Sequence, residues 1–307
     1  MAYSSFFVRT WASFKKAGFA RSVLVLSSGT VSGQLLALLA TPIITRLYTP
    51  AEYGVLGSYT SVVAIVSVVA MLRYEAAIPG SESDPDAANL LILAVITAFC
   101  TSALCALVLV FFAAPLSAWL NIQSLAPFLW LVPIGMLVTA LYQALAFWAI
   151  RKRDFPTLAK TKLVQSASMM SVQIAFGIPR FGPIGLILGQ IFGQGSGFEI
   201  IRRRAIRQNR VLFRSVSRNG IRSVASSYSD FPKYSTMAAL MGAAITNLPL
   251  LFFAIVYGTT VVGWYTLVVG TLLVPMSLMS VSIAQAYFGE LAYLKQSAPQ
   301  HLSLIHI

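Results

Sequence analysis

Long uncharged apolar stretches are the feature that most constrains what this chain can fold into. Stretches of about 20 residues, enough for a helix to cross a hydrocarbon core of about 30 Å, recur along the sequence. Apolar residues make up 57% of the chain and charged residues 10%, whereas a soluble domain has roughly 25% charged residues. Membrane β-strands need a period of two, which runs such as 62–72 lack. The sequence therefore predicts an all-α, polytopic membrane bundle.

Eight membrane segments follow from these stretches and divide the chain into regions. The segments are predicted at 22–44, 54–72, 88–116, 125–150, 156–178, 182–201, 236–256 and 261–286. The first apolar run is too long for the core of a cleaved signal peptide, so it is a retained helix. The predicted regions are a cytoplasmic tail (1–21), a six-helix lobe (22–201), a basic cytoplasmic linker (202–235), two helices of a second lobe (236–292) and a tail (293–307).

The Lys and Arg residues lie almost entirely on one side of this topology. Of the 22, 19 fall in the N-terminal tail, in or just after the fourth-to-fifth connection, in the sixth-to-seventh connection, and after the eighth segment. Only Arg46 and Arg180 fall on the other side, and Arg73 ends the second segment. The positive-inside rule then predicts a multi-pass inner-membrane protein with a cytoplasmic N-terminus. Because topology explains the net charge of +13, no nucleic-acid partner is expected.

The basic linker 202–235 has two interpretations. It is a topogenic charge run that forms an amphipathic linker on the membrane, or it contacts anionic lipids and helps to collect a phosphate-bearing substrate. Topology alone accounts for it, so the sequence favours the first.

A weak internal repeat relates the first two segments to the last two. A shift of 209 positions places Gly33 on Gly242, Tyr48 on Tyr257 and Gly54 on Gly263 without a gap. Each copy reads as a helix that ends near Tyr, a tight exterior turn, and Gly at the start of the next helix. Because the repeat spans six helices, an even number, both copies have the same orientation, which predicts two parallel lobes around an axis along the membrane normal.

Neither the C-terminal residues nor the His and Cys residues of the chain indicate a chemical function. The residues 303–307 resemble translated adapter sequence, so we expect a fragment whose natural sequence ends near residue 300. His301 and His306 lie in this tail, and Cys100 and Cys105 are on different faces of one helix. No metal site and no cofactor are predicted.

Three motifs carry a resemblance to a known family. The segment Gly33-Gln-Leu-Leu-Ala-Leu-Leu-Ala-Thr-Pro-Ile-Ile-Thr-Arg-Leu-Tyr-Thr-Pro-Ala-Glu-Tyr-Gly54 looks like the N-terminus of polysaccharide-biosynthesis flippases. These form the O-antigen (Wzx-type) branch of the multidrug/oligosaccharidyl-lipid/polysaccharide exporter superfamily. Arg73-Tyr-Glu-Ala-Ala-Ile-Pro79 is similar to the motif that closes their second helix, and Val262-Gly-Trp-Tyr265 resembles the start of their eighth.

The resemblance implies both an architecture and a function. It implies twelve or more helices in two six-helix lobes around a central cavity. It also implies transfer of undecaprenyl-diphosphate-linked oligosaccharide to the outer leaflet, for O-antigen or other surface polysaccharide, without chemistry on the substrate. Anionic lipids and the polymerase or assembly proteins of the pathway are the other expected partners.

Three charged residues near helix ends are candidates for substrate binding. Arg73 can bind a diphosphate by bidentate hydrogen bonds, or it can extend to the cytoplasmic interface. Glu75 can carry a proton or be an interfacial carboxylate. It is about 200° around a helix from Arg73, so the two cannot pair unless the helix breaks here. Arg46, at the exterior end of the first segment, can receive phosphate on release or anchor the helix at the interface.

Uncharged polar residues at membrane depth form a second set of candidates. They can line a cavity for sugar hydroxyls, or join helices by interhelical hydrogen bonds. The set is Gln34, Gln143, Gln165, Gln173, Gln190, Gln194 and Asn247.

Two other functions remain as alternatives to a flippase. A drug or cation antiporter of the same superfamily would need a carboxylate at mid-membrane, and none of the nine acidic residues is clearly there. A membrane glycosyltransferase or polymerase would need acid and base groups on a substantial loop or domain. The exterior loops are short and nearly uncharged, so the sequence predicts a transporter and not an enzyme.

Overall fold

The computed structural model describes residues 18–119 and 123–297, and every regular element in these ranges is helical. The all-α prediction is confirmed. The N-terminal residues 1–17 and the tail 298–307, with His301 and His306, lie outside the described residues. The α-helices are α1 (Gly18–Leu47), α2 (Pro50–Val69), α3 (Tyr74–Ala77), α4 (Asp84–Trp119), α5 (Val132–Arg151), α6 (Phe155–Gly177), α7 (Pro183–Gln208), α8 (Arg210–Arg214), α9 (Arg218–Ser227) and α10 (Thr236–Ser297). Short 3₁₀ helices at Ile78–Gly80 and Ala126–Leu131 and a π-helical turn at Phe231–Ser235 complete the order.

Six stretches of the described chain are long and apolar enough to cross a membrane, which confirms the prediction of a multi-pass protein. They are Val25–Leu47, Pro50–Val69, Asp84–Phe112, Ala126–Arg151, Pro183–Gln208 and Phe231–Leu272.

The predicted fifth segment, 156–178, differs from the other segments. It forms the helix α6 but is not among the six apolar stretches. The reason is composition, because α6 contains Lys160, Lys162 and several Gln and Ser residues. Helix α6 packs between α1 and α7, so its polar groups can be satisfied by protein.

The predicted seventh and eighth segments lie in α10, and a glycine breaks this helix into two arms. Gly258 has φ 78° and ψ 172°, far from helical values. The rings of Phe253 and Tyr265 have centroids 5.3 Å apart, although twelve residues of straight helix span about 18 Å. The chain therefore reverses at Gly258, close to the predicted turn. We call the two arms α10a (residues 236–257) and α10b (residues 259–297).

The turn between α1 and α2 is held by local capping and by one long-range hydrogen bond. Thr49 and Glu52 form a capping box at the N-terminus of α2, which Pro50 begins. The Tyr48 hydroxyl donates to the Gln173 carbonyl at 2.6 Å. This bond ties the α1–α2 turn to α6.

Glycines allow α1, α6 and α7 to approach closely. In α7, Gly185, Gly189, Gly193 and Gly197 recur every four residues, so they lie on one face. A Cβ added at Gly189 would overlap Gln173 of α6. Small residues that let helix backbones meet are typical of membrane packing.

The connections that were predicted to be cytoplasmic meet at one end of the bundle. Asp84, in the acidic loop 81–86 whose last residues begin α4, pairs with Arg151 at 3.1 Å and with Lys152 at 2.6 Å. The Ser217 backbone N–H donates to Asn89 Oδ1 at 3.4 Å, which brings the basic linker to the same end. The acidic loop therefore shares an end with the basic connections.

Candidate functional site

A break in the chain after α2 creates the first candidate site. Helix α2 ends at Val69, and Leu72 and Arg73 both adopt left-handed conformations, with φ 50° and 62°. Such a conformation costs a non-glycine residue about 1–2 kcal/mol. Backbone strain of this kind clusters at functional sites and persists only where the surroundings hold it in place.

The break brings Arg73 and Glu75 together. Arg73 Nη1 lies 3.3 Å from Glu75 Oε1, a pairing that a continuous helix would forbid. The Glu75 side chain is only 3% exposed, whereas that of Arg73 is 30% exposed. The pair therefore has a buried anionic partner and a cation that still reaches the surface.

The hydrogen-bonding capacity of this pair is only partly used. Glu75 Oε2 and Arg73 Nε are both buried and have no hydrogen-bond partner among the residues that the structure describes. Burial raises the pKa of Glu75 above its ordinary range, and a backbone hydrogen bond and the Arg73 cation oppose this shift only in part. The site can thus bind a proton at Glu75 and offers unused donors at Arg73.

Neighbouring elements hold the Arg73–Glu75 turn in place. Arg151 Nη1, on α5, donates to the carbonyls of Ile78 at 3.2 Å and Ser81 at 2.8 Å. The Tyr74 hydroxyl donates to the Ala225 carbonyl of α9 at 3.4 Å. Contacts from two other helices therefore fix the backbone on either side of Glu75.

Arg46 lies apart from this turn, in the last turn of α1 at the opposite end of the bundle. Its side chain is exposed, and no ion pair holds it within the described ranges. The structure does not bring Arg46 and Arg73 into one site.

The structure places five of the seven uncharged polar candidates in two sets, with Gln194 in both. The first set forms hydrogen bonds to other parts of the protein. Gln165 Nε2 donates to Gln194 Oε1 at 3.1 Å and links α6 to α7. Gln173 Nε2 donates to the Leu186 carbonyl at 3.3 Å. Asn247 Nδ2 donates to the Ala243 carbonyl of its own helix at 2.8 Å. These side chains are engaged in structural hydrogen bonds.

The second set lines a cleft of about 120 Å³ between α2, α5 and α7. Gln190 and Gln194 lie on this cleft, and Gln34 and Gln143 do not. Sequence reasoning missed Thr60 and Thr139, which also line it. Threonine is common in membrane helices, so no signal in the sequence distinguished these two residues. We call this space the polar cleft; its lining residues are Tyr59, Thr60, Val63, Ala64, Gly135, Thr139, Gln190, Ile191 and Gln194.

The basic linker presents an arginine-rich face at the same end of the bundle as Arg73. The cations near the end of α7 are paired, since Arg202 and Arg203 bind Glu199. Further along, exposed arginines have no acidic partner in the described part of the chain: Arg207, Arg210, Arg214, Arg218 and Arg222. Val224 of α9 is 3% exposed and packs into the bundle, which fixes the orientation of this amphipathic helix.

The opposite end of the bundle contains a close contact between α2 and α10b. A Cβ added at Gly54 would overlap the Thr259 carbonyl, and one added at Gly263 would overlap the Pro50 carbonyl. The 209-residue shift converts the first contact into the second, because it maps Gly54 onto Gly263 and Pro50 onto Thr259. A reciprocal contact of this kind is the signature of a twofold axis.

Within the described residues, no group of three or more His, Cys, Asp and Glu side chains is placed to hold a metal ion.

In comparison with known proteins, a family model described as polysaccharide biosynthesis protein matches residues 43–304 of the chain. Searches of curated proteins and of solved structures returned no match.

Proposed function

The chain belongs to the polysaccharide biosynthesis protein family, and from this premise we propose that it is a flippase for lipid-linked oligosaccharide. The substrate is an undecaprenyl-diphosphate-linked oligosaccharide for O-antigen or another surface polysaccharide. The protein moves it across the inner membrane by alternating access, with its N-terminus in the cytoplasm. Membrane location and a part in polysaccharide biosynthesis rest on the apolar helices and the family match.

The reciprocal contact between α2 and α10b is the observation that carries this proposal. Transporters that work by alternating access are commonly built from two repeats that rock against each other. Here the repeat-related residues Gly54 and Gly263 meet at one end, where glycine allows two backbones to approach. We interpret this contact as the closed exterior side of a path between two lobes, 22–201 and the lobe that begins at 236.

The Arg73–Glu75 turn supports the same function at the other end. A diphosphate carries several acceptor oxygens, and a guanidinium binds such groups by two parallel hydrogen bonds. The Arg73 side chain is 30% exposed, so its guanidinium can reach a phosphate oxygen on the cytoplasmic side. The arginine-rich face nearby would hold anionic lipids and raise the local concentration of the substrate.

A drug or cation antiporter fits the placement of carboxylates less well. Glu52 caps α2, Asp84 pairs with two cations, and Glu199 pairs with two arginines near the end of an apolar stretch. These carboxylates are committed to helix ends, and the buried Glu75 lies beyond the end of α2, whereas an antiporter would use a carboxylate at mid-membrane.

Complementation tests the proposal directly. We expect the full-length gene that encodes this chain, expressed in a strain that lacks its own oligosaccharide flippase, to restore surface polysaccharide. The measurement is immunoblotting of surface polysaccharide, with membrane expression verified. A protein that reaches the membrane and leaves the polysaccharide defect unchanged would contradict the proposal.

A further inference from the structure

We infer that the polar cleft between α2, α5 and α7 binds an uncharged sugar ring of the transported oligosaccharide through its hydroxyl groups. The inference rests on the proposed function and deepens it. It places recognition of the sugar in the first lobe, at a site separate from the residues that would bind the diphosphate. The residues that carry it are Thr60, Thr139, Gln190 and Gln194.

The depth of the cleft places it where a polar surface needs a reason. Helices α2 and α7 and the helical stretch before α5 begin at the same end of the bundle, where Glu52 approaches Gly182. Thr60, Gln190 and Thr139 lie seven to thirteen residues along their helical stretches, or about 10–20 Å from that end. In a core of about 30 Å this is mid-membrane. Polar groups at this depth face protein or a water-filled space.

The hydrogen-bonding groups of the cleft are largely unused. The Gln190 amide and the Thr139 hydroxyl make no hydrogen bond within the described ranges, although both residues are half-buried. Gln194 accepts from Gln165 through Oε1, which leaves its Nε2 donors free. Thr60 donates to the Gly57 carbonyl at 2.9 Å and keeps its oxygen as an acceptor. Gln165 and Gln173, by contrast, are bonded to protein.

The chemistry of the lining selects an uncharged ligand with many hydroxyl groups. None of the nine lining residues carries a charge at neutral pH, and the Tyr59 hydroxyl already donates to the Leu131 carbonyl at 3.1 Å. Amide and hydroxyl groups both donate and accept, which matches a sugar hydroxyl. The cations that would bind phosphate, Arg46 and Arg73, do not line the cleft.

The cleft can take one hydroxyl-bearing edge of a sugar ring or a small cluster of water. Its volume of about 120 Å³ is the volume that roughly four water molecules occupy in the liquid, at about 30 Å³ each. Gly135 lets the Tyr59 hydroxyl pack against α5 at the edge of this space, because a Cβ there would overlap that hydroxyl. Water and sugar are distinguished by competition.

Cysteine accessibility tests both the wetness of the cleft and its ligand. In a Cys100→Ala, Cys105→Ala background, Thr139→Cys and Gln190→Cys are treated in membrane vesicles with a charged, water-borne methanethiosulfonate reagent. The control is Leu104→Cys, at a position that is 60% exposed on the apolar surface of α4. We expect the cleft cysteines to react and the control cysteine to remain unmodified.

Two purified lipids then serve as competitors in the same assay. We expect the host's lipid-linked oligosaccharide to slow labelling of the cleft cysteines, and undecaprenyl diphosphate without sugar to leave the rate unchanged. Equal protection by both lipids would assign the cleft to the lipid or phosphate. Protection by neither would leave it a water site, and unreactive cysteines would show that it is closed. Each of these three results overturns the inference.

Transport separates this inference from the proposed function. Thr139→Val and Gln190→Met keep side-chain size and remove hydrogen bonds, so each should weaken the apparent affinity for the oligosaccharide lipid about two- to tenfold. Thr97→Val, whose hydroxyl donates within its own helix, should have no effect. Unchanged transport by both cleft variants overturns the sugar subsite and leaves the flippase intact. A wild-type chain that does not transport contradicts the flippase, while labelling still decides the cleft.

Discussion

At the scale of single residues, the Arg73–Glu75 pair combines three unusual properties. Its backbone is left-handed at Arg73, its carboxylate is buried, and each partner has an unsatisfied polar atom in the described structure. An unsatisfied buried polar atom costs about 1–3 kcal/mol. A protein selected for stability alone would remove such costs, so their coincidence points to a functional role.

Removal of the Arg73 guanidinium should weaken transport. A hydrogen bond to a charged group is worth about 1.5–3 kcal/mol, so Arg73→Ala should reduce the apparent affinity for the lipid-linked substrate roughly ten- to hundredfold. Arg73→Lys keeps the charge without the bidentate geometry and should give an intermediate loss. The measurement is surface polysaccharide in the complementation strain at matched expression. Arg180→Ala, an exposed cation at the other end, is the control; normal complementation by Arg73→Ala would remove the phosphate role.

The buried carboxylate of Glu75 should make stability depend on pH. Its pKa is raised in the folded protein by burial, so folding favours the protonated form. The stabilising contribution is complete below the ordinary glutamate pKa and is lost as pH rises through the raised value. We therefore expect Glu75→Gln to have an increasingly higher Tm than wild type as pH rises from about 4 towards 8. The check is thermal unfolding in detergent across this range; parallel Tm curves for the two proteins would contradict it.

The Arg73–Glu75 contact shows where sequence reasoning reached its limit. Both residues were identified as candidates from their charge and position, but a continuous helix puts them about 200° apart. The break depends on left-handed Leu72 and Arg73, and neither Gly nor Pro stands there to signal it. Tertiary contacts from Arg151 and Tyr74 hold that turn, and such contacts cannot be read from local sequence.

At the scale of elements, the packing of α1 on α6 depends on a pair of glycines. Gly29 and Gly33 form a Gly-x-x-x-Gly pattern, and a Cβ at Gly29 would overlap the backbone of Ala159. A Cβ at Gly33 would lie 3.0 Å from the Lys162 carbonyl oxygen. Because backbone cannot move as a flexible side chain does, these positions tolerate no larger residue.

A larger residue at Gly29 should therefore loosen the bundle. We expect Gly29→Leu to destabilise the protein by about 1–3 kcal/mol or more, the typical cost of overpacking. Gly242→Leu is the matched control, since a Cβ there meets nothing within 4 Å. Thermal unfolding in detergent checks the difference. Equal Tm values for the two variants would show that α1 does not pack on α6 as described.

For helix α6, the sequence predicts the position of the helix but not the residues that surround it. The sequence placed a helix at 156–178, and the structure has Phe155–Gly177. Hydropathy alone would not identify it as a membrane segment, because Lys160, Lys162 and its glutamines lower the apolar content. Lys162 lies over the Tyr142 ring of α5 and Gln165 donates to Gln194 of α7, and these partners become visible only once the helices are packed.

At the scale of the whole molecule, the 209-residue repeat, which rests on three identical residues, corresponds to a contact between its two copies in the structure. The sequence matched Gly33, Tyr48 and Gly54 to positions 209 residues later, at equivalent helix ends. In the structure the chain reverses at Gly258, which the same shift pairs with Thr49 in the α1–α2 turn. The reciprocal contacts of Gly54 and Gly263 then relate the two copies by an approximate twofold axis. The contact itself was not predictable, because a repeat shows which residues are equivalent but not whether they lie close together.

A residue pair close to this axis provides a test of alternating access. The shift maps Gly57 onto Thr266, and a Cβ at Gly57 would lie 3.5 Å from the Thr266 Cβ, within the range that disulfides require. In a background without Cys100 and Cys105, we expect Gly57→Cys, Thr266→Cys to form a disulfide under mild oxidation. Locking α2 to α10b should hold the exterior side closed and stop surface polysaccharide export, and reduction should restore it. Each single cysteine variant, treated with the same oxidant, is the control. A cross-linked double variant that exports at the wild-type rate would show that α2 and α10b need not separate, and alternating access across this contact would then be wrong.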